Sequence, residues 1–250
     1  MNINSNGYVL GFAVGVCVVM SSMLALASSA LRDAQRAAEE FDRQKNVMVA
    51  ARLIDADGRR PGAERAATRS ELEDLYSRQV EEKVLVLETG EFDPELKPAD
   101  YPRMKPEEQK RYRVVALAHD SAGKTDAIVL PISGKGLWSI IYGYLALEPD
   151  GKSVKGVTFY KHGETPGLGG ECENPEWTAK WVGKKLLGGN GELIGISIKK
   201  GKVDPAIPME KEHMVDGLSG ATITGRGITR FLKSDLEGYR PYLSRIWGKD

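Results

Sequence analysis

Residues 111–160 read RYRVVALAHDSAGKTDAIVLPISGKGLWSIIYGYLALEPDGKSVKGVTFY, and the fold class turns on them. They hold four runs rich in β-branched residues and tyrosine, several of them bounded by glycine or proline: Arg111–Ala118, Ala127–Ile132, Ser139–Leu147 and Val154–Tyr160. Leu193–Ile198 (LIGISI) is a fifth strand candidate. Helical patterns lie to both sides. Thr68–Glu88 is predicted helical, opened by a capping box of Ser70 with Glu73 and continued by Leu72, Leu75 and Tyr76. Pro175–Lys184 is predicted as a short helix with Trp177 and Trp181 on one face. Ile223–Gly238 is predicted as the last helix, with Ile228, Phe231, Leu232 and Leu236 on one apolar stripe. Glu91–Glu108, with Pro94, Pro98, Pro102 and Pro106, is an irregular connection. The expectation is an α+β domain with a mainly antiparallel sheet.

Towards the amino terminus, Tyr8–Leu31 (YVLGFAVGVCVVMSSMLALASSAL) carries no charge. Its 24 residues span about 36 Å as a helix, against about 30 Å for a bilayer core. A cleaved leader is the competing reading, with Ala25-Leu26-Ala27 as a cleavage-like site, but no Lys or Arg precedes the run. The chain is therefore divided into a tail (1–7), a single transmembrane anchor (8–31), a helical stalk (32–52) and one domain (53–250). Arg32, Arg36 and Arg43 follow the anchor and by themselves favour a cytoplasmic domain, although long domains override that bias.

The chain has 250 residues with 35 basic and 35 acidic side chains, a net charge of zero. This balance argues against nucleic-acid binding. A metal site is not expected: His119, His162 and His213 are far apart, and Cys17 and Cys172 form no pair. Each histidine is read as a surface or loop residue.

Three loops carry candidate chemistry. Asp216-Gly217-Leu218-Ser219-Gly220-Ala221-Thr222 precedes the last helix, where glycines permit close backbone approach and free N–H groups favour a phosphate. Ser219 or Thr222 acting as a simple N-cap is the plainer reading of the same residues. Gly217-Leu218-Ser219-Gly220-Ala221 is one residue away from a G-x-S-x-G nucleophile elbow, but no histidine follows it. His162-Gly163-Glu164-Thr165-Pro166-Gly167-Leu168-Gly169-Gly170-Glu171 is a glycine-rich loop at a strand end, able to lie against a planar ring, and its spacing is not that of a dinucleotide fingerprint. Ser133-Gly134-Lys135-Gly136-Leu137-Trp138 lacks the P-loop pattern, and Trp138 could stack on a ligand or serve the core.

Together, in this order and behind one anchor, S-G-K-G-L-W, H-G-E-T-P-G-L-G-G-E, N-P-x-W-x-x-x-W (Asn174, Pro175, Trp177, Trp181) and D-G-L-S-G-A-T resemble the C-subunit family of the sodium-translocating NADH:quinone reductases. The similar G-subunit of the Rnf electron-transport complex shares the general FMN-binding domain. The resemblance implies FMN joined by a phosphoester to Thr222, supplied from FAD by a flavin transferase, with Thr222 an acceptor and not a catalytic nucleophile. It implies a bacterial inner-membrane, single-pass protein with a periplasmic domain, relaying electrons among other membrane subunits of its complex. Ser219, Gly220 and Ala221 would surround the acceptor. Asp216 would orient it or cap the turn. Glu164, Thr165, Gly167, Leu168, Leu137 and Trp138 would form the ring pocket. One departure follows the motif, where Thr224-Gly225-Arg226 replaces a Ser-Asn type turn. Two other readings stand beside this one: the flavin subunit of an Rnf ferredoxin:NAD oxidoreductase, and an anchored scaffold without cofactor whose stalk and tryptophans contact partners.

Overall fold

The computed structural model describes residues 6–248, so the first five residues of the expected 1–7 tail and the last two of the domain lie outside the described residues. The chain divides into two compact units, Met1–Arg43 and Gln44–Asp250. The described residues of the first unit are helical. Helix α1 (Asn6–Ala50) begins inside the expected tail and continues through the expected stalk to Ala50. It is long and apolar enough to cross a membrane, and its apolar residues, among them Leu10, Phe12, Leu24 and Leu26, are exposed.

The second unit is built on a six-stranded antiparallel sheet. Its strands are β1 (Val80–Val86), β2 (Glu91–Phe92), β3 (Tyr112–His119), β4 (Thr125–Lys135), β5 (Ile140–Leu147) and β6 (Val154–Lys161). Their order is β2-β1-β3-β4-β5-β6. The α+β class with an antiparallel sheet is thus as expected, and the four runs that announced it are β3 to β6. Side-chain alternation puts Val115, Ile128, Leu130, Ile132, Ile141, Leu145, Val157 and Phe159 on one face, in a shared core. The opposite face carries smaller residues, including Ala116, Ala118, Ala127 and Ala146. The last turn of α1, which belongs to this unit, crosses β6 on that face. A Cβ on Gly156 would lie 2.3 Å from the Ala50 carbonyl oxygen, so only glycine admits the helix there.

Helix α2 (Arg69–Gln79) is shorter than predicted. Its capping box is Thr68 with Glu71, not Ser70 with Glu73. The predicted continuation to Glu88 is strand β1, whose Val80, Val84, Leu85 and Val86 are paired residue for residue with β3. The connection 91–108 contains β2, a 3-10 turn at Tyr101–Arg103 and helix α3 (Pro106–Gln109). The predicted helix 175–184 is one turn of α-helix, α4 (Pro175–Thr178), passing into a 3-10 turn at Ala179–Trp181. The strand expected at 193–198 is reduced to β7 (Ser197–Ile198). After α5 (Pro208–His213) comes β8 (Met214–Val215), which pairs with β7 in parallel.

Helix α6 (Thr222–Trp247) runs past both Gly238 and Pro241. Buried Tyr239, Tyr242 and Leu243 carry it on, because apolar burial of about 1.5–3 kcal/mol per large side chain offsets the hydrogen bond a proline removes. Its position on the sheet is specified. β3 pairs with β4 only as far as Val129, leaving the next polar groups on that side of β4 without a strand partner. Helix α6 supplies them. Ser133 N–H donates to the Asp235 carboxylate at 2.8 Å, and Tyr239 OH donates to the Pro131 carbonyl at 2.7 Å. Asp235 and Tyr239 are one helical turn apart, matching Pro131 and Ser133 two residues apart on the strand. Pro131 is tolerated in this inner strand because its missing N–H falls where the β3 ladder has ended.

Candidate functional site

The three glycine-bearing loops meet at the start of α6, and Glu164 is their junction. Its side chain is 5% exposed. One carboxylate oxygen accepts from Trp138 N–H (2.9 Å) and Ser139 N–H (3.2 Å). The other accepts from Leu137 N–H (3.2 Å) and from the Thr224 hydroxyl (2.7 Å). Burial alone would raise the Glu164 pKa, but these four donors outweigh it, and the group is held below the usual carboxylate range. A Cβ on Gly136 would come within 2.6 Å of one Glu164 oxygen. A Cβ on Gly169 would come within 2.7 Å of Thr224 Oγ1. The carboxylate sits in a space that only glycines leave open. Glu164 N–H in turn donates to His162 Nδ1 at 3.3 Å, and His162 Nε2 faces Glu173 at 3.3 Å.

Thr222 is the first residue of α6. The N-cap is Ala221, which has no side chain able to cap, so the plain capping reading of Thr222 and Ser219 is not what the structure contains. Thr222, half-buried, lines a recess of about 60 Å³ with Lys199, Lys200, Gly201, Gly217 and Arg226. Lys199 is paired with Glu210, while Lys200 and Arg226 are exposed. The recess is too small for a flavin ring. Its contents, a helix start and two open cations, suit a phosphate. Gly217 N–H donates to the Gly201 carbonyl at 2.7 Å, joining two of the segments that line the recess.

Asp216 faces away from this recess chemistry. Lys180 donates to one of its oxygens and Val203 N–H to the other, both at 2.8 Å, and the hydrogen bond from Lys180 leads in holding its pKa down. Its carbonyl accepts from Trp177 Nε1 at 2.8 Å. Asp216 is therefore a strut that fixes the loop, closer to the turn-capping alternative than to an orienting group on Thr222.

The remaining expected residues are at the surface. Leu137, Trp138 and Leu168 are 38%, 69% and 43% exposed, and Ile223 beside the acceptor is 55% exposed. Leu168 rests on Gly220, whose Cβ would lie 2.7 Å from Leu168 Cδ2. Thr165 and Ser219 are exposed. The Thr165 carbonyl accepts from Leu168 N–H and Gly170 N–H, which shapes the loop, and Gly167 turns with φ +73°. These exposed apolar side chains lie on the loops at 137–138 and 163–170 and on the first turn of α6. A separate cleft of about 600 Å³ is lined by His162, Glu164, Pro166, Gly167, Glu171 and Glu173.

Two expectations are corrected. Trp177 and Trp181 do not reach partners: they are 6% and 0% exposed and pack edge to face, 5.5 Å apart, with Phe159 against both. Not every histidine is a surface group, since His213 is 4% exposed with Nδ1 2.7 Å from the Lys185 carbonyl. Sequence reasoning assigns no site role to Thr224, Gly136, Lys200 or Arg226. Thr224 lies two residues beyond the acceptor and Gly136 within S-G-K-G-L-W, so proximity in sequence is the available signal. The lysine arrives from a segment with no motif. Among the described residues no group of three His, Cys, Asp or Glu side chains could hold a metal.

Residues 136–237 match the FMN-binding domain family. The chain is 34% identical to the C-subunit of the Na(+)-translocating NADH-quinone reductase of Haemophilus ducreyi, over 95% of this chain and 93% of that one. It is 36% identical to the corresponding protein of Pseudomonas aeruginosa, over 94% and 93%. The crystal structure of Shewanella oneidensis NqrC superposes with a TM-score of 0.68 at 31% identity, covering 85% of this chain and 100% of that chain. The corresponding Parabacteroides distasonis protein superposes with a TM-score of 0.67 at 26% identity, covering 86% and 97%.

Proposed function

We propose, for a chain that belongs to the NqrC family of the Na(+)-translocating NADH-quinone reductases, that its domain carries FMN as a phosphoester of Thr222 and relays electrons within such a complex. The chain is an FMN-binding subunit of an oxidoreductase and works with the other subunits of its complex, and we read its long apolar helix α1 as a membrane anchor. The covalent link, the flavin transferase that makes it and the periplasmic side of the domain are our reading.

One observation carries it: Thr222 opens α6 without serving as its cap and borders a phosphate-sized recess with Lys200 and Arg226. The residues present fit the group. Lys200 and Arg226 would balance the phosphate charge, and the helix start adds backbone donors. Leu137, Trp138, Leu168 and Ile223 would cover a ring face. The bound group supplies the redox chemistry. The chain's own residues supply retention, orientation and a partly dry surface that tunes the potential. In the transfer the Thr222 oxygen bonds to the FMN phosphorus of FAD, the bond to AMP breaks, and the hydroxyl proton leaves to solvent. The ester prevents loss of the cofactor between turnovers. The relatives favour the sodium pump over the Rnf assignment, and the FMN-binding match disfavours a scaffold without cofactor.

The test is Thr222→Ala in the full chain, produced together with a flavin transferase. Covalent flavin, read as fluorescence of the denatured band, should vanish, while thermal stability stays within about 0.5 kcal/mol, as for other replacements of a side chain that caps nothing. Fluorescence persisting in T222A overturns the assignment.

A further inference from the structure

We propose that Glu164 and Thr224 act as a positioning couple that fixes the rotational phase of the first turn of α6 and so presents the Thr222 hydroxyl for phosphoryl transfer. The proposal rests on the reading of Thr222 as the acceptor.

The first turn of a helix is its least constrained part, because its leading N–H groups have no partners within the helix. Here the ordinary remedy is missing, since the N-cap is alanine. The restraint comes from elsewhere in the chain. Thr224 is 1% exposed, and its hydroxyl donates to Glu164 at 2.7 Å. Successive helical residues turn by about 100°, so Thr224 and Thr222 project about 200° apart. Fixing Thr224 inward therefore aims Thr222 outward, at the recess beside Lys200 and Arg226.

Glu164 is itself immobile. Three backbone N–H groups from residues 137–139 hold its carboxylate, and Gly136 and Gly169 close over it without room for a methyl group. The carboxylate also lies at a helix start, where negative charge is favoured. A second tether fixes the next turn: Ile198 N–H donates to the Thr229 hydroxyl at 2.9 Å. Helix attachment thus survives loss of the Thr224 hydroxyl, while the phase of the first turn does not. Glu164 never meets the phosphorus or the acceptor oxygen in this role. It acts through Thr224 and is a positioning residue.

The experiment measures the initial rate of covalent flavin incorporation into the full chain by a flavin transferase with FAD, following fluorescence of denatured samples and intact mass. Thr224→Val keeps the shape and removes the hydroxyl. It should slow kcat roughly 10- to 100-fold, the scale of a misplaced reacting group, with KM for the chain unchanged because the surface met by the transferase is intact. Thr224→Ser restores the hydroxyl and should return the rate to within about threefold. Glu164→Gln keeps the volume and should be slowed like T224V, which also secures the test if T224V does not fold. Wild-type rates in T224V or E164Q, a change confined to KM, or failure of T224S to rescue overturns the proposal. An unlabelled wild-type chain, or label persisting in T222A, overturns instead the acceptor reading beneath it.

Discussion

Glu164 illustrates how a residue acquires its role from its surroundings. The resemblance implied a place for it in the ring pocket, and in the fold its carboxylate accepts from four internal donors. Side-chain direction separates the two roles, and a loop sequence does not encode direction. The turn before Thr222 and the helix after it were legible because they are local features, while its role as acceptor came from the resemblance and is our proposal. The recess beside Thr222 was not legible, because Lys199–Gly201 comes from a distant segment. Among single substitutions, Gly169→Ala is informative. The added methyl would meet Thr224 Oγ1 at 2.7 Å and a Glu164 oxygen at 2.9 Å, whereas at Gly189 it would meet nothing within 4 Å. Overpacking should cost G169A about 1–3 kcal/mol in urea unfolding, with G189A close to wild type. Equal effects of the two would argue against the tight cradle.

Among the elements, α6 departs furthest from its pattern. The apolar stripe located it and predicted an end at Gly238, and buried tyrosines extend it to Trp247. The 80–88 segment failed in the opposite sense. Its charged residues continue a helical composition, and pairing with β3 makes it a strand, since partner hydrogen bonds outweigh propensities of a few tenths of a kcal/mol. The seam between α6 and β4 has a pH signature. Burial pushes the Asp235 pKa up to about 6, with the Ser133 N–H bond and the Arg113 charge offsetting it only in part. The folded protein then holds this proton more tightly than the unfolded chain. Stability should fall as pH rises from about 4 to about 6 and level off above, by on the order of 2 kcal/mol after allowing for partial exposure. Asp235→Asn keeps an acceptor for Ser133 without the charge. It should flatten that slope in thermal melts between pH 4 and 8 and stabilise the protein at pH 7; an unchanged slope would sink the explanation.

At the level of the molecule, the chain is an apolar helix and a compact α+β unit that begins at Gln44. The full chain should sediment with membranes and resist carbonate extraction, and removal of residues 1–43 should yield a soluble, folded domain. Removing residues 1–52 should destabilise that domain, because Val47, Met48, Ala50 and Ala51 are fully buried in it. Recovery of the full chain in the soluble fraction would refute the anchor. Features that are local or additive are written in the chain itself: the long apolar helix in an uncharged run, β3 to β6 in their composition, a helix opening near Ile223, and the motifs that mark the family. Which polar groups face one another is set by packing alone. Packing joins Glu164 to Thr224, brings Lys200 to Thr222 and substitutes α6 for a strand beside β4. The reason is physical: these contacts link residues distant in sequence, and their geometry follows from how the sheet and helix pack, which no single segment encodes.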